Sequence, residues 1–318
     1  MRIKLPQHFI RFLGPIFGLI VLIVVIFILQ KQIRHLTLSA IYTHITDLPR
    51  DSLLLALFFN LCAYLALCGY DLLGVQYIRA KIPWYKTAFA SILSYIFSNN
   101  IGMSIVGASA IRLRFYPTWG IKTFSIFQLV LFTSVTMWLG IFTISGISFL
   151  VIPIDLPPNI PIPTHAVRPV GLILLFIVFL YMIFCASYRN SIRLPGKISF
   201  KLPRLRIALI QPIIGVIDYS LAAMVFYTLL PNHSEMHYPI ILTIFLLAQI
   251  SGMISHVPGG LGVFDAVAFL MLSQYYEPNV ALSCIILFRV IYFILPLIVG
   301  GITLLLYEVT HLIIHPKT

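Results

Sequence analysis

The sequence predicts an all-α, polytopic integral membrane protein with about six spanning helices, two re-entrant broken-helix elements and an inverted repeat. Of its 318 residues, 60% are apolar and 9% are charged, which is typical of multi-pass membrane proteins. Several apolar runs exceed the roughly 20 residues that a helix needs to cross a bilayer. Two further apolar regions are each interrupted by glycine-rich segments. We therefore expect residues 1–318 to form a single transmembrane domain.

The spanning helices are expected in six runs. They fall near 12–30, 51–74, 121–152, 168–186, 207–230 and 279–308. The first run is long for a signal peptide and no clear small-residue cleavage site follows it, so we expect a retained helix. The domain divides into an N-terminal helix and linker at 1–50, a first repeat half at 51–167 and a second at 168–318.

The two interrupted regions are 86–116 and 238–276. The first contains Ser98-Asn-Asn-Ile-Gly102, and the second contains Ser255-His-Val-Pro-Gly259 followed by Gly-Leu-Gly-Val-Phe-Asp265. The shared Ser-x-x-x-Gly pattern is weak alone, but its place in both halves favours an internal duplication. Non-helical backbone at membrane depth needs protein or a water-filled cavity around it, and such breaks often build a transporter's substrate site. The alternative is a short polar turn at the membrane surface.

Basic residues predict the orientation of the chain. The linker 187–206 carries six Lys and Arg and no acid, so the positive-inside rule places it in the cytoplasm. The linker 153–167 has one acid and no Lys or Arg, which places it outside. The stretches 79–86 and 112–122 are both basic, and both lie inside only if 87–111 is a re-entrant hairpin.

By the same parity, 239–276 dips in from the outer face and returns, as an inverted repeat demands. Both termini are then cytoplasmic, and the protein is expected in the bacterial inner membrane. Of 21 basic residues, 16 lie inside and four outside, with Arg289 within a span.

Four ionisable residues fall at membrane depth, where a charge is costly and usually functional. Asp71 is close to the inner end of its span, where snorkelling to the interface is an alternative to a function. Asp218 and Arg289 lie near the middle of their spans. Asp265 follows the glycine cluster, so a first-turn carboxylate favoured by the helix dipole is its alternative role. We expect Arg289 to lie within hydrogen-bond or one-water reach of Asp265 or Asp218, with a purely structural pair as the alternative.

Other functional classes find no support in the residues. The chain has no Walker-type phosphate loop, no Gly-x-Ser-x-Gly elbow and no Cys or His pair at zinc spacing. We therefore predict no cofactor and no metal. The net charge of +12 is explained by cytoplasmic loops, which should lie against an anionic leaflet rather than bind nucleic acid.

Pro258-Gly-Gly-Leu-Gly-Val-Phe-Asp265 and Arg289-Val-Ile-Tyr-Phe-Ile-Leu-Pro296 resemble motifs of the lysylphosphatidylglycerol synthase transmembrane-region family. Asn99-Asn-Ile-Gly102 and Gly107-Ala-Ser-Ala-Ile-Arg112 resemble its other glycine-rich motif. The resemblance covers nearly the whole chain. It implies the flippase-type membrane domain found in the bacterial multiple peptide resistance factor. That factor also has a soluble aminoacyltransferase domain, for which we expect no room here, so we expect no enzyme activity.

The leading prediction is a translocator that moves or handles a phospholipid, either anionic or aminoacylated. Arg112 and Arg289 would attract phosphate through their planar donor forks, and Asp71, Asp218 and Asp265 would balance charge or hold a cationic headgroup. The remaining candidate site residues are Asn100, Pro258, Gly259, Gly260 and Tyr292. One alternative is an accessory lipid-binding or scaffold protein without transport, and a weaker one is a membrane-embedded lipid-modifying enzyme. A homo-oligomer or a separate lipid-modifying enzyme is left open as a partner.

Overall fold

The computed structural model describes residues 48–101, 104–152, 167–188, 191–194, 198–231, 233, 235–255 and 257–314. The predicted first span at 12–30 lies outside these residues, as does Gly102.

Long apolar helices account for the other five predicted spans. They are α1 (Arg50–Tyr77), α4 (Thr123–Val151), α5 (Val167–Ser187), α6 (Leu205–Thr228) and a final rod built from α9 (Pro278–Arg289), a π-helical turn (Val290–Ile294) and α10 (Leu295–Ile314). Each is long and apolar enough to cross a membrane. The five matching sequence predictions are confirmed.

The two interrupted regions each form a pair of shorter helices. In the first half, α2 (Trp84–Ile101) packs against α3 (Ser104–Phe115), and we call this pair the first hairpin. In the second half, α7 (Tyr238–Ile254) packs against α8 (Val263–Leu272), and this pair is the second hairpin. A 3₁₀ turn at Pro258–Gly260 lies between the helices of the second hairpin. The prediction that both regions are broken rather than continuous helices is confirmed.

The basic linker at 187–206 contains the one departure from an all-helical chain among the described residues. Strands β1 (Ser191–Leu194) and β2 (Ile198–Lys201) pair antiparallel, with Ser191 opposite Lys201. The sequence alternates polar and apolar residues in both strands, and Pro-Gly follows the first, which together are a hairpin signal. The transmembrane part remains all-α.

The central helices α1 and α6 pack along one another and join the two halves. Beside them, α4 crosses α6 at Gly140 and Gly215, so closely that a Cβ added to Gly140 would lie 2.4 Å from the Gly215 Cα. Only glycine permits this backbone contact. Small residues at such crossings are the usual way for membrane helices to approach closely.

Each hairpin is braced by the last span of the other half, an arrangement that we call the exchanged bracing. In the first hairpin, α2 packs on α10, where Gly300 lies against the Ile96 side chain. In the second hairpin, α7 packs on α4, where the Ser148 and Thr243 hydroxyls are hydrogen-bonded at 2.6 Å. The two hydrophobic cores follow the same rule. One contains Leu297 and Leu304 of α10 among residues of the first half. The other contains the C-terminal part of α4, together with Ala56 and Ala63 of α1, among residues of the second.

Candidate functional site at the junction of the two hairpins

The break in the second hairpin is built from glycines. Gly259, Gly260 and Gly262 have φ angles of 59°, 61° and 83°, in a region of conformational space that residues with a Cβ rarely adopt. The chain therefore turns sharply at this point. The carbonyl oxygens of Gly259 and Gly260 are not engaged in a continuing helix and are available to other donors. Pro258 opens the 3₁₀ turn that contains the first two of these glycines.

Arg289 binds those free carbonyl oxygens. Its Nη1 donates to the Gly259 carbonyl at 3.1 Å, and its Nη2 donates to the Gly260 carbonyl at 3.3 Å. Its Nε donates to Asp265 Oδ1 at 2.6 Å. The side chain is 6% exposed although it carries a full charge. The prediction that Arg289 pairs with Asp265 or Asp218 is confirmed, and the partner is Asp265.

Asp265 has two roles in the same place. Its Oδ2 accepts the backbone N–H of Gly262 at 2.8 Å, which satisfies a donor at the start of α8. Its Oδ1 binds Arg289, so one carboxylate fixes both the helix start and the guanidinium. Because its side chain is 27% exposed, Asp265 is the more accessible partner of the pair.

Aromatic rings surround the guanidinium. The Arg289 Cζ lies 5.7 Å from the Phe264 ring centroid and 5.5 Å from that of Phe293. Phe288 stacks on Phe264 and on Tyr292, with centroids 5.7 and 5.1 Å apart. Cation–π contacts strengthen when the cation is desolvated, as it is here.

A π-helical turn directly follows Arg289 and leaves a row of backbone carbonyls without their usual helical partners. The Asn60 Nδ2 donates to the Ile291 carbonyl at 3.0 Å, and the Tyr64 hydroxyl donates to the Tyr292 carbonyl at 3.1 Å. Asn100 Nδ2 donates to the Phe293 carbonyl at 3.4 Å and to Ile96 of its own helix at 2.8 Å. Such π-bulges are frequent at functional sites. The sequence prediction of an uninterrupted last span missed this turn and also Asn60 and Tyr64, although both are polar residues inside an apolar run.

The end of α2 lies against the glycine break of the second hairpin. A Cβ added to Gly259 would lie 3.5 Å from the Asn99 carbonyl oxygen and 3.9 Å from that of Asn100. The Asn-Asn and Pro-Gly-Gly motifs, far apart in sequence, therefore meet around Arg289. Six of the predicted site residues share this junction with Pro258. They are Asn100, Gly259, Gly260, Asp265, Arg289 and Tyr292.

Asp71 and Arg112 form a separate, fully buried pair between α1 and α3. Arg112 donates from Nε to Oδ2 at 3.1 Å and from Nη2 to Oδ1 at 2.5 Å. The Tyr116 hydroxyl donates to Oδ2 at 3.0 Å, and the Tyr95 ring lies 5.2 Å from the Arg112 Cζ. Asp71 is 0% exposed, so the alternative that it snorkels to the interface is wrong. Tyr116, which sequence reasoning missed, adds a third hydrogen bond to the Asp71 carboxylate.

Asp218 lies between these two groups, on α6. It is 5% exposed, and its Oδ2 accepts the Tyr70 hydroxyl at 2.9 Å. Neither Arg112 nor Arg289 forms an ion pair with it. The structure thus divides the predicted charged residues into one paired group at the hairpin junction, one paired group beside α1, and a third acid held by a tyrosine.

This architecture defines a polytopic α-helical membrane protein in which two broken hairpins meet around a buried arginine. The chain belongs to the family described as the lysylphosphatidylglycerol synthase TM region, whose model matches residues 15–300. The sequence resemblance to that family is confirmed.

Three relatives align with most of this chain. An uncharacterised protein of Synechocystis is 31% identical over 280 residues, which are 88% of this chain and 87% of that protein. The inner membrane protein YbhN of Escherichia coli is 28% identical over 289 residues, 90% of this chain and 89% of that protein. The phosphatidylglycerol lysyltransferase of Bacillus subtilis is 24% identical over 303 residues, which are 93% of this chain but 34% of the enzyme. This chain therefore corresponds in length to the first two proteins and to about a third of the lysyltransferase.

Proposed function

We propose that this protein is a flippase-like lipid translocator of the bacterial inner membrane, which moves an anionic or aminoacylated phospholipid. The observation that supports this best is that the buried guanidinium of Arg289 has more hydrogen-bond donors than its described partners engage. A guanidinium has five N–H donors, and the described partners of Arg289 engage three of them. Two donors remain for a phosphate, in a geometry that arginine suits well.

The glycine break makes this position adaptable. Arg289 is held by two backbone carbonyls and one partly exposed carboxylate, all contributed by the second hairpin. When a lipid phosphate approaches, the guanidinium can exchange carbonyl oxygens for phosphate oxygens without leaving Asp265. The charge is thus never unpaired at depth, which on insertion scales costs at least about 2.5 kcal/mol.

Two re-entrant hairpins related by an inverted repeat would supply the route. The exchanged bracing is what a two-fold relation between the halves 51–167 and 168–318 would produce. In that arrangement the hairpins enter from opposite faces and meet at the middle of the membrane. A headgroup could pass the junction while the acyl chains stay in lipid, and rocking one half against the other would alternate access.

Two of the relatives are consistent with this proposal. The YbhN protein is named for the inner membrane, and phosphatidylglycerol lysyltransferase for a lipid substrate. We propose the same membrane for this chain, with cytoplasmic termini, and a phosphatidylglycerol-type headgroup as the first substrate to test. In this proposal the chain itself is not an enzyme.

Reconstituted vesicles test the proposal. Purified protein would be placed in vesicles with fluorescent phosphatidylglycerol or its lysyl derivative, and movement between leaflets followed by chemical quenching of the outer label. Wild-type protein is expected to speed the exchange, whereas Arg289→Ala is expected to abolish it. Arg114→Ala is the matched control, because Arg114 pairs with Glu308 away from the hairpin junction and should retain transport. Excess inorganic phosphate should not inhibit if a lipid headgroup is the true ligand.

The double variant Arg289→Ala/Asp265→Asn separates transport from folding. It removes both charges, so the acid is not left unpaired, and it should be more stable than Arg289→Ala while remaining inactive. If the double variant regains transport together with stability, the pair is a structural clasp and the assignment of Arg289 to phosphate is wrong. Lipid binding without movement in wild-type vesicles would favour an accessory lipid-binding protein instead.

A further inference from the structure

Asp218 differs from the other buried acids that the structure describes. Asp71 is paired with Arg112, and Glu308 with Arg114 at 2.7 Å. Asp218 is buried to a similar degree, yet it forms no ion pair with any described residue. A bare carboxylate in such a position is expensive, since burying an isolated charge costs far more than burying a neutral polar group.

The two oxygens of this carboxyl group are not equivalent. The Tyr70 hydroxyl donates to Oδ2, whereas Oδ1 is shielded from solvent and has no hydrogen-bond partner among the described residues. A buried acceptor without a partner is rare and calls for an explanation.

No cation on the described neighbouring elements forms an ion pair with Asp218. Four tyrosines interact electrostatically with Asp218: Tyr64 and Tyr70 of α1, Tyr219 of α6 itself and Tyr292 of the π-helical turn. Tyr95 of α2 lies against the Tyr70 ring. Four other helices pack on α6, and α4 among them has no ionisable side chain. The ionisable residues of the other three are Tyr238 on α7; Arg168, Tyr181 and Cys185 on α5; and Cys284 and Arg289 on α9, of which Arg289 is bound to Asp265. Tyrosines ordinarily ionise only near pH 10, so they act on Asp218 as neutral neighbours.

We propose that Asp218 is a proton-binding site whose loading is coupled to movement of the hairpin junction. This inference rests on the proposed translocator function and supplies its energy source. The step is the addition of one proton from water to a carboxylate oxygen, which forms an O–H bond and a neutral carboxylic acid. Release to water at the other face restores the carboxylate, so no further reactant is needed.

A proton fits the site better than its alternatives. No group of three His, Cys, Asp or Glu that could hold a metal ion occurs in the described part of the chain. A cationic lipid headgroup needs open space, whereas Oδ1 is shielded. A proton needs no volume and removes the charge that makes burial expensive.

The position of Asp218 gives a physical connection to the Arg289 site. Tyr64 donates to the backbone carbonyl of Tyr292 in the π-helical turn, and both tyrosines are close enough to Asp218 to interact with it electrostatically. Tyr70, which holds Oδ2, is on the same helix α1 as Tyr64. A shift of α1 against α6 would therefore expose Asp218 and loosen the turn beside Arg289 together.

Infrared spectroscopy on the purified protein tests the proton directly. A protonated carboxyl group has a carbonyl stretch well separated from that of a carboxylate. We expect a pH-dependent band of this kind in wild-type protein, its loss in Asp218→Asn, and its retention in Glu308→Gln, in which a buried but arginine-paired acid is changed. Tyr70→Phe, which keeps the acid and removes its hydrogen bond, should shift the band. A wild-type protein without the band, or an Asp218→Asn protein that keeps it, would overturn the inference.

Transport with an imposed pH gradient tests the coupling. Wild-type vesicles are expected to move labelled lipid faster in one direction of the gradient than in the other, and Asp218→Asn is expected to lose that difference while folding normally. Transport that ignores the gradient in wild-type protein overturns this inference but leaves the proposed function standing. Wild-type vesicles that move no lipid under any gradient overturn the proposed function and the coupling with it.

Discussion

At the residue scale, the charged side chains at membrane depth are each paired with an opposite charge, with one exception among the described residues. Arg289, Arg112 and Asp71 are buried in ion pairs, whereas Asp218 accepts a hydrogen bond from Tyr70 and forms no ion pair with a described residue. An acid partner for Arg289 could be predicted from the sequence because an unpaired arginine in a span is too costly, but the sequence did not decide between Asp265 and Asp218. The partner of Asp71 could not, because helix α3, which carries Arg112, is placed by packing that no local pattern encodes.

The Asp71–Arg112 pair should be essential for stability. Asp71→Asn or Arg112→Ala leaves one buried charge unpaired, and we expect a loss of about 3–5 kcal/mol, measured as thermal or denaturant unfolding in detergent. Replacing both by apolar residues of similar size, Asp71→Leu with Arg112→Met, should recover most of that loss.

Vesicle assays on the same double variant would define the role of the pair. Retained lipid transport would make it structural, and lost transport in a stable protein would support the predicted part of Arg112 and Asp71 in the substrate site.

Gly259 should be required for function more than for stability. An added Cβ would meet only ordinary contacts, so Gly259→Ala costs mainly the left-handed backbone, roughly 1–2 kcal/mol. Gly120→Ala is a matched control, because Gly120 also has a positive φ, of 81°, with nothing near its Cβ position. We expect similar falls in unfolding temperature but loss of transport only in Gly259→Ala, since that carbonyl holds Arg289. Equal transport by both variants would contradict a functional role for the break.

At the element scale, hydropathy was sufficient to predict five spans and both broken regions. Length and apolar character determine these features locally. The π-helical turn after Arg289 was not predictable in this way, since its freed carbonyls are satisfied by Asn60, Tyr64 and Asn100 from other helices. Nor did hydropathy reveal β1 and β2. The linker was interpreted only through its positive charges, and the alternation of polar and apolar residues within it was not considered.

The crossing of α4 and α6 depends on two glycines. Gly140→Ala or Gly215→Ala would place a Cβ within 2.4 Å of facing backbone, which cannot move aside, and we expect a loss of about 1–3 kcal/mol from overpacking. Gly69→Ala is the control, since its Cβ would meet only side-chain atoms of Ile214, the nearest being Cγ2 at 3.2 Å, and no backbone. Unfolding in detergent should rank the two crossing variants well below the control. Equal stability of all three would show that the helices can separate freely.

At the scale of the whole molecule, the charge bias predicts topology. Lys201 and Glu235 are both exposed and lie near opposite ends of α6, so cysteines at these positions in a cysteine-free protein should label from opposite faces. We expect position 201, with the rest of 187–206, to label only from the cytoplasm, and position 235 only from outside. Labelling of position 197 only from outside would reverse the orientation. The direction of the chain through the membrane stays a prediction from its charges, whereas no local pattern predicts how each hairpin packs on a distant helix.

The exchanged bracing has a consequence for the order of synthesis. The second hairpin emerges after its brace α4, whereas the first must wait about 180 residues for α10, or roughly 10 to 40 seconds at usual rates of translation. Asp71, Arg112 and Tyr116 are all made before that interval begins. Their buried contacts can hold the newly synthesised first hairpin against α1 before α10 has been made. The second hairpin, by contrast, is fastened to α9, which follows it within a few residues.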